Sequence, residues 1–453
     1  MRRSGAVRAL LGLVLVAAAL VVHGGGAGAA ASDPPGFRGV DVVQVQGLID
    51  PPNAALVRDS IHAAEQRGAT ALLLQIDSGG AVGTDPVALA RVVRNARVPV
   101  IAWVGPSGAG ARGGAELLAE AAPLLSMAAN AHLGPLEPLR LDRPHQTLTP
   151  DEVAQLPIAP GRIEGVQRTY QHRVNAPTAV REHAADRIDN VLRQVLQNLD
   201  GLTITTAAGP STLHLLAVDP KTGAKNLNQD VRFRKLALSG QLQHTLASPW
   251  VAYFLFVAGG ALIAFEFFTI SIGLAGGTGA LALIGACYGF SVLPVRLWAV
   301  ALLVLAIVGF SIDVQAGGLG PWTVIATVSL VAGSIFLYDG AAALRPAWWT
   351  IVLICLGVIL FMIGGMTAML RSRWATPTVG REGMVGELGT AEVAVAPDGV
   401  VRVRDALWRA RTNRATPVAA GDAVRVVSVD GLVLEVEPEA GGARDYRDRG
   451  ARN

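Results

Sequence analysis

The stretch 250–370 constrains the fold more than any other part of the chain, because it is almost entirely apolar. Its candidate membrane spans are 250–268, 272–293, 297–312, 321–338 and 348–370. A helix needs about 20 apolar residues to cross a bilayer, so the third and fourth runs are slightly short. Tryptophan and tyrosine side chains fall at the ends of the runs, as in an interfacial aromatic belt. The sequence therefore predicts a multi-pass cell-membrane protein with about five spans, in an α-helical bundle over 247–371.

The N-terminus has the features of a secretory signal. Three arginines lie before the apolar run 9–22, and small residues typical of a cleavage site follow at 27–31. We predict a signal peptide at 1–31, with an uncleaved anchor helix as the alternative. An exported N-terminus and five spans predict an extracytoplasmic domain at 32–246 and a cytoplasmic C-terminus. The arginines after the last span agree with the positive-inside tendency, whereas the basic residues before the first span weigh against it.

The exported part alternates strand and helix signals. Strands are predicted at 38–47, 69–77 and 98–104, with Gly79 and Gly80 breaking the chain after the second. Amphipathic helices are predicted at 53–68 and 85–96. Such alternation is typical of an α/β domain with a parallel sheet. A further amphipathic helix is predicted at 182–199, whose apolar stripe serves core packing or self-association.

The segment 377–438 alternates apolar and polar residues between turn signals such as Asp398-Gly399 and Asp430-Gly431. This pattern predicts a small all-β barrel, followed by a disordered polar tail at 439–453. The barrel has several arginines, but Trp408 is its only aromatic residue. Binding to single-stranded nucleic acid usually combines a basic groove with several stacking platforms, so no nucleic-acid partner is expected.

Neither a cofactor nor a metal site is predicted. The two cysteines, Cys287 and Cys355, both lie in apolar runs, which makes a disulfide or a thiolate metal site unexpected. The sequence contains neither a Walker loop nor an H-E-x-x-H motif.

Several blocks together resemble the NfeD family, membrane-bound relatives of the ClpP protease and the crotonase fold. They are GLIDPP (47–52), LLLQIDSGGAV (72–82), VPVIAWVGPSGAGARGGAELLAEAA (98–122) and AANAHLGPLEP (128–138). The resemblance continues through the membrane segment and into the C-terminal segment. It implies a ClpP/crotonase-like α/β domain, a transmembrane bundle and a C-terminal OB-fold domain that serves protein interaction.

The block Asp77-Ser78-Gly79-Gly80 resembles the family's D-x-P-G-G block, with the proline missing. By resemblance, the amides of Gly79 and Gly80 would form an oxyanion-hole-like, peptide-binding element, because glycine lets the backbone approach a ligand closely. A tight strand-to-helix turn without a ligand is the equally open alternative.

The family's nucleophile falls on a glycine in this chain. Aligned on Pro106-Ser107-Gly108, the family's serine corresponds to Gly113, so the hydroxyl is absent. Two other serines lie near the site and are the fallback nucleophiles. Ser107 corresponds to a turn residue six positions earlier, and Ser126 is in the next predicted strand.

The family's base is also absent. The family resembles Ser–Lys dyad enzymes, in which a lysine takes the proton of the serine. This chain has no lysine before Lys221, and arginine stays protonated. The fallback base is His132, which has no serine at position 113 to activate.

The sequence thus predicts a protease-derived domain in which no catalytic residue is expected. This domain belongs to a membrane protein that acts as a binding or adaptor partner. By resemblance, its partner is a stomatin- or prohibitin-like scaffold protein, and it is a possible homo-oligomer. The alternative is an active membrane-bound serine endopeptidase of the ClpP class that uses a non-family serine.

Overall fold

The computed structural model describes residues 39–218, 225–227, 230–268, 273–316, 319–369, 381–412 and 416–440. The predicted signal peptide at 1–31 and all but the first two residues of the predicted tail at 439–453 lie outside these ranges. The chain divides into two compact units, 1–370 and 371–453.

The first unit contains a nine-stranded sheet and two small hairpins. The sheet strands are β1 (Val40–Ile49), β2 (Ala71–Ala81), β3 (Val100–Val104), β4 (Gly110–Ala111), β5 (Leu124–Met127), β6 (His132–Leu133), β7 (Val174–Asn175), β8 (Arg187–Ile188) and β13 (Val231–Arg234). The hairpins are formed by β9 (Thr203–Thr206) with β10 (Gly209–Thr212), and by β11 (Leu216–Val218) with β12 (Lys225–Leu227).

The strand order places β2 at the centre of the sheet. The order is β7-β6-β4-β2-β3-β5-β8, and β1 pairs with both β2 and β13. Of these pairings only β6–β7 is antiparallel. Crossover helices connect the parallel strands, which confirms the predicted α/β class.

Eight helices of the described residues belong to this domain and its connection to the membrane segment. They are α1 (Pro51–Arg67), α2 (Pro86–Arg94), α3 (Gly114–Ala121), α4 (Pro150–Ala154), α5 (Ile163–Thr169), α6 (Ala176–Arg181), α7 (Leu192–Asn198) and α8 (Leu238–Leu246). Asp50 caps α1 by accepting a hydrogen bond from the Asn53 amide at 3.1 Å, and the helix ends at Gly68, as predicted.

The core lies on both faces of β2. The apolar run that predicted this strand is buried on every residue from Ala71 to Ile76. Leu72 and Leu74 belong to the core beneath the crossover helices, and Leu73 to a second cluster on the other face. Full burial of each such side chain contributes about 1.5–3 kcal/mol.

Two local predictions were wrong. β2 continues through Gly79 and Gly80 to Ala81, because it leaves β3 and pairs with β4 at Ser78–Ala111 and with the end of β1. The predicted helix 182–199 is helical only over α7, because Arg187–Ile188 pairs with β5 as an edge strand. In that segment, sheet pairing overrides the helical pattern.

The membrane segment contains five apolar helices. They are α9 (Pro249–Phe268), α10 (Leu274–Val292), α11 (Leu297–Ala316), α12 (Pro321–Phe336) and α13 (Trp348–Leu360), the last followed by a π-helical turn at Phe361–Gly365. Four apolar helical segments of the described chain are long enough to cross a membrane, the last of them spanning Ala342–Met369. The helix α12 has 16 residues and is shorter.

The two acidic residues near the predicted span ends cap neighbouring helices. A carboxylate oxygen of Asp313 accepts hydrogen bonds from the amide of Gly320 at 2.9 Å and from the hydroxyl of Thr323 at 2.7 Å, at the start of α12. Glu266 accepts from the Gly276 amide at 3.1 Å, in the first turn of α10. Both carboxylates therefore satisfy backbone donors at helix N-termini.

The helices alternate in direction relative to the α/β domain. Helix α10 ends beside that domain, where Gly83 adjoins Val292. The segment after α12 also returns to it, since the Ala341 amide donates to the Leu141 carbonyl at 3.1 Å. Helices α9, α11 and α13 therefore start on the domain side, and α13 runs away from it.

The second unit is a closed five-stranded barrel, which confirms the predicted small barrel. Its strands are β14 (Leu388–Val393), β15 (Asp398–Val403), β16 (Ala406–Arg411), β17 (Ala423–Asp430) and β18 (Val433–Pro438), in the order β14-β15-β16-β18-β17. Alternate residues such as Val401, Val403, Val424 and Val426 fill its core.

Candidate functional site

The glycine-rich turn after β3 positions Gly113, the residue that the family resemblance predicts at the nucleophile's place. Gly113 lies between β4 and α3, with φ 53° and ψ −125°. This left-handed conformation favours glycine over residues that carry a Cβ. The position thus has the sharp strand-to-helix geometry that presents nucleophiles in several hydrolases, but it has no side chain.

The space beside Gly113 is filled by the segment 135–139. A Cβ built on Gly113 would lie closer than 3.0 Å to the carbonyl oxygen of Pro138. The Gly113 amide itself donates to the carbonyl oxygen of Pro135 at 2.9 Å. A serine at this position would therefore require the backbone around Pro138 to move.

Asp77 connects the block 77–80 to the glycine-rich turn after β3, two segments that are separate in the sequence. Its carboxylate accepts a hydrogen bond from the Gly110 amide at 3.0 Å. One residue on, the carbonyl of Ser78 accepts from the Arg112 amide at 3.3 Å. Asp77 therefore holds the turn in place. The only sequence signal for this role is its position at the end of a buried strand.

The two glycines predicted to bind peptide have different surroundings. Gly80 is buried with φ 138°, adjoins the side chain of Leu141, and donates its amide to the Ser78 hydroxyl at 3.3 Å. Gly79 is exposed, and a side chain there would meet no atom within 4 Å. Of the two, only Gly79 faces open space.

Among the described residues, neither fallback serine has a hydrogen bond to a histidine or a lysine. Ser126 is fully buried and donates to the carboxylate of Asp189 at 2.8 Å. Ser107 is exposed and accepts from the side-chain amide of Asn130 at 3.1 Å. Both hydroxyls therefore serve local hydrogen bonds.

His132, the fallback base, lies on β6. Within the described residues its Nδ1 is buried without a hydrogen-bond partner, and no hydrogen bond links its ring to Ser107 or Ser126. Burial lowers the pKa of His132, with Arg173 and Arg112 adding to the effect. General-base catalysis requires hydrogen-bond reach between base and nucleophile, about 2.6–3.2 Å, and this ring has no serine at that distance.

Helix α3 carries two buried carboxyl groups that the sequence analysis missed. Burial, and then the charge of Glu120, raise the pKa of Glu116 well above its ordinary value. Burial also raises the pKa of Glu120 to about 7, although Arg162 opposes the shift. Arg162 Nε contacts Glu120 at 2.8 Å and its Nη1 contacts Asp186 at 2.6 Å, which ties α3 to the following segments.

A second polar pair connects the α/β domain to the membrane segment. His244 Nδ1 on α8 lies 2.8 Å from the carboxylate of Asp50, which caps α1. The hydrogen bond to Asp50 raises the pKa of His244 against the opposing effect of burial. No local sequence pattern predicts this pair, because the partners are 194 residues apart.

Within the described ranges, no group of three or more His, Cys, Asp or Glu residues could hold a metal ion.

Several arginines of the barrel form ion pairs with carboxylates of the same barrel. Arg402 pairs with Glu392 at 2.6 Å and Arg411 with Asp398 at 2.8 Å, and Arg404 pairs with Glu387.

Two family models match this chain. Residues 250–366 match the NfeD integral membrane domain, and residues 381–438 match the NfeD-like C-terminal, partner-binding domain. Over 429 residues the chain is 25% identical to the membrane-bound protease PH1510 of Pyrococcus horikoshii, a match that covers 89% of this chain and 95% of that protein.

Two solved structures from the same organism are also similar. A 1510-N membrane protease specific for a stomatin homolog is 18% identical, with 45% of this chain and 96% of that one covered and a TM-score of 0.36. The C-terminal domain of the stomatin operon partner protein 1510-C is 41% identical, with 14% and 95% covered and a TM-score of 0.13. This chain is therefore a membrane protein of the NfeD family, with an integral membrane domain at 250–366 and an NfeD-like C-terminal domain at 381–438.

Proposed function

We propose that this protein is a membrane-anchored adaptor that binds a stomatin-like scaffold protein, and that its ClpP-like domain binds without hydrolysing. The observation that carries the proposal is the pair Gly113 and Pro138. The position of the family's nucleophile has no hydroxyl, and a backbone carbonyl takes the space that a side chain there would need.

The absence of a base supports the same proposal. No lysine occurs before Lys221, and Lys235 is an exposed residue close to the membrane helices. A serine at position 113 would still have a high pKa and would need a base to deprotonate it. Ser126 donates its hydroxyl to Asp189, and among the described residues no hydrogen bond joins the His132 ring to a serine, so neither supplies such a pair.

The direction of the membrane helices supports a defined topology. Helices α9, α11 and α13 start beside the α/β domain, and α10 and α12 return to it. Five alternating helices would leave the end of the segment, near Met369, on the side away from that domain. We propose that the α/β domain is extracytoplasmic and that the chain after Met369 enters the cytoplasm.

The barrel supplies a surface for the partner. Three exposed apolar side chains lie at the start of β14 and opposite it on β17, namely Val385, Leu388 and Val427. Leu388 pairs with Arg425, and the neighbouring Gly386 amide donates to the Val426 carbonyl at 2.7 Å, so the three residues share one edge of the barrel. We propose that this edge docks the stomatin-like scaffold, as the partner-binding description of the domain suggests.

Co-expression of the full chain with a stomatin-like protein tests the proposal. The scaffold should co-purify at its full length. Leu388→Asp should weaken the association at least tenfold, because a charge in the docking edge would be desolvated on binding. Val393→Asp is the matched control, since Val393 is similarly exposed but lies about 17 Å further along the same strand. If Leu388→Asp leaves co-purification unchanged, the scaffold does not dock at this edge. If the scaffold is cleaved, the protein is not solely an adaptor.

A further inference from the structure

A groove of about 990 Å³ lies where the α/β domain meets the membrane segment. Its long walls are the first and last membrane helices, α9 from Trp250 to Leu262 and the α13 segment from Trp349 to Phe361. Each wall spans 12 residue steps, or about 18 Å at the rise of an α-helix. The groove therefore starts at the domain and extends well into the apolar segment.

One end of the groove is polar. His244 and Asp50 lie there with Gly47, and Arg345 enters from the loop before α13. Among the described residues, the Arg345 side chain makes no ion pair, and the Nε2 atom of His244, which faces Gly47, has no hydrogen-bond partner. This end thus offers a guanidinium and an imidazole nitrogen, the latter on a ring that is paired with Asp50. The rest of the groove is lined mainly by apolar side chains, with Ser248 and Thr350 as polar exceptions.

The shape selects among apolar ligands. An extended peptide would fit, but its backbone N–H and C=O groups would find few partners between α9 and α13 and would be costly there. An acyl chain has no polar groups to satisfy, so its burial carries no such cost.

We propose that this groove binds one anionic phospholipid, with its phosphate at Arg345 and His244 and an acyl chain between α9 and α13. An Arg–phosphate contact is a strong charge-assisted interaction, and basic residues at a membrane surface select anionic lipids. The bound lipid would then join the α/β domain to the first and last membrane helices. Gly79 lines the same groove, so the lipid would also adjoin the open end of the glycine block.

Photocrosslinking in nanodiscs of phosphatidylcholine tests the site. Each preparation contains a small fraction of one photoreactive probe, either a phosphatidylglycerol or a phosphatidylcholine with a photoreactive acyl chain. The labelled peptides of the full-length protein are then mapped by mass spectrometry. The expected result is labelling of α9 and the α13 segment, stronger with the phosphatidylglycerol probe. Arg345→Gln should lower this preference about fivefold, the effect of losing one basic contact at a membrane surface.

Two variants complete the test. Arg58→Gln removes an exposed charge on α1, outside the groove, and should leave the preference unchanged. Ala258→Trp places a ring in the groove and should abolish labelling of its walls. If both probes label the walls equally and Arg345→Gln has no effect, the labelling comes only from annular lipid around the helices. That result would overturn the proposal. A peptide that co-purifies in the groove and blocks labelling would overturn it as well.

Discussion

The carbonyl oxygen of Pro138 lies within 3.0 Å of the place where a Cβ on Gly113 would stand. The residue after the glycine-rich turn is therefore constrained twice, by its left-handed φ of 53° and by a backbone atom opposite it. Both constraints favour glycine over a residue with a side chain at position 113.

Gly113→Ser should destabilise the protein more than Gly108→Ser does. Both glycines have positive φ, 53° and 88°, so each serine would store about 1–3 kcal/mol of backbone strain. A side chain at Gly108 meets nothing within 4 Å, whereas one at Gly113 must displace Pro138, which adds about 1–3 kcal/mol of overpacking. Thermal unfolding of the full chain in detergent measures both, and equal midpoints would show that the space beside Gly113 is open.

Glu116→Gln should make the protein more stable at neutral and alkaline pH. The pKa of Glu116 is raised in the fold, so its contribution to stability is present below about pH 4.5 and is lost as pH rises toward the folded-state pKa. The glutamine variant cannot ionise, so the difference should grow by up to about 1.4 kcal/mol per pH unit over that range.

Glu152→Gln is the control for this effect, with the opposite sign. Hydrogen bonds from Thr149 lower the pKa of Glu152, so its contribution is present above the ordinary pKa and is lost on acidification. That variant should be less stable than the wild type at neutral pH and indistinguishable from it in acid. Parallel pH profiles of the wild type and Glu116→Gln would contradict the burial of an ionisable Glu116.

Asp41→Asn should destabilise the α/β domain by about 3–5 kcal/mol, because it removes the carboxylate from a buried cluster of charges. Asp41 is fully buried on β1, with Arg234 Nε at 3.2 Å, Arg232 Nε at 3.4 Å and Arg67 also in contact. Arg402→Gln breaks a pair whose side chains are 46% and 43% exposed, and should change stability by less than about 1 kcal/mol. Chemical denaturation of the two variants gives the comparison, and a cost for Asp41→Asn no larger than the control would refute the role of the cluster.

A reporter that is active only in the cytoplasm should function when it is fused after Pro438. The alternating directions of α9 to α13 predict an odd number of crossings, although α12 has only 16 residues. A second fusion, of an exported reporter at the same position, should stay silent. The reverse pattern would mean that α12 does not cross the membrane.

The sequence predicted those elements whose signals are local. The apolar run of β2, the glycine that ends α1 and the alternating barrel segments all have short-range patterns, and strands, a helix end and a barrel formed there. Arg187–Ile188 carried a helical pattern but became a strand, because the free edge of β5 was available only in the folded domain. Gly79 and Gly80 likewise remain in β2 because of pairing with β4, which no local pattern could reveal.

The candidate site was predictable in its composition but not in its geometry. The missing hydroxyl at Gly113 and the absence of lysine follow from reading the sequence. The position of the Pro138 carbonyl, the raised pKa of Glu116 and the pairing of His244 with Asp50 depend on segments that meet only in three dimensions. Burial and distant partners determine these features, and neither has a signature in a short window of sequence.

Restoring the serine tests whether the base is also lost. Gly113→Ser alone should give no peptide hydrolysis, since His132, the fallback base, has a lowered pKa and the chain has no lysine before Lys221. Brisk turnover of an apolar peptide by this variant would identify a base in place, with His132→Ala as the check on its identity.

The most direct measurement is labelling of the full-length wild-type protein with a fluorophosphonate probe, together with an assay on peptides rich in apolar residues. We expect neither labelling nor cleavage, because Gly113 has no hydroxyl and the Ser126 hydroxyl donates a hydrogen bond to Asp189 at 2.8 Å. Labelling that disappears in Ser107→Ala or Ser126→Ala would contradict it and would establish a protease with a different nucleophile.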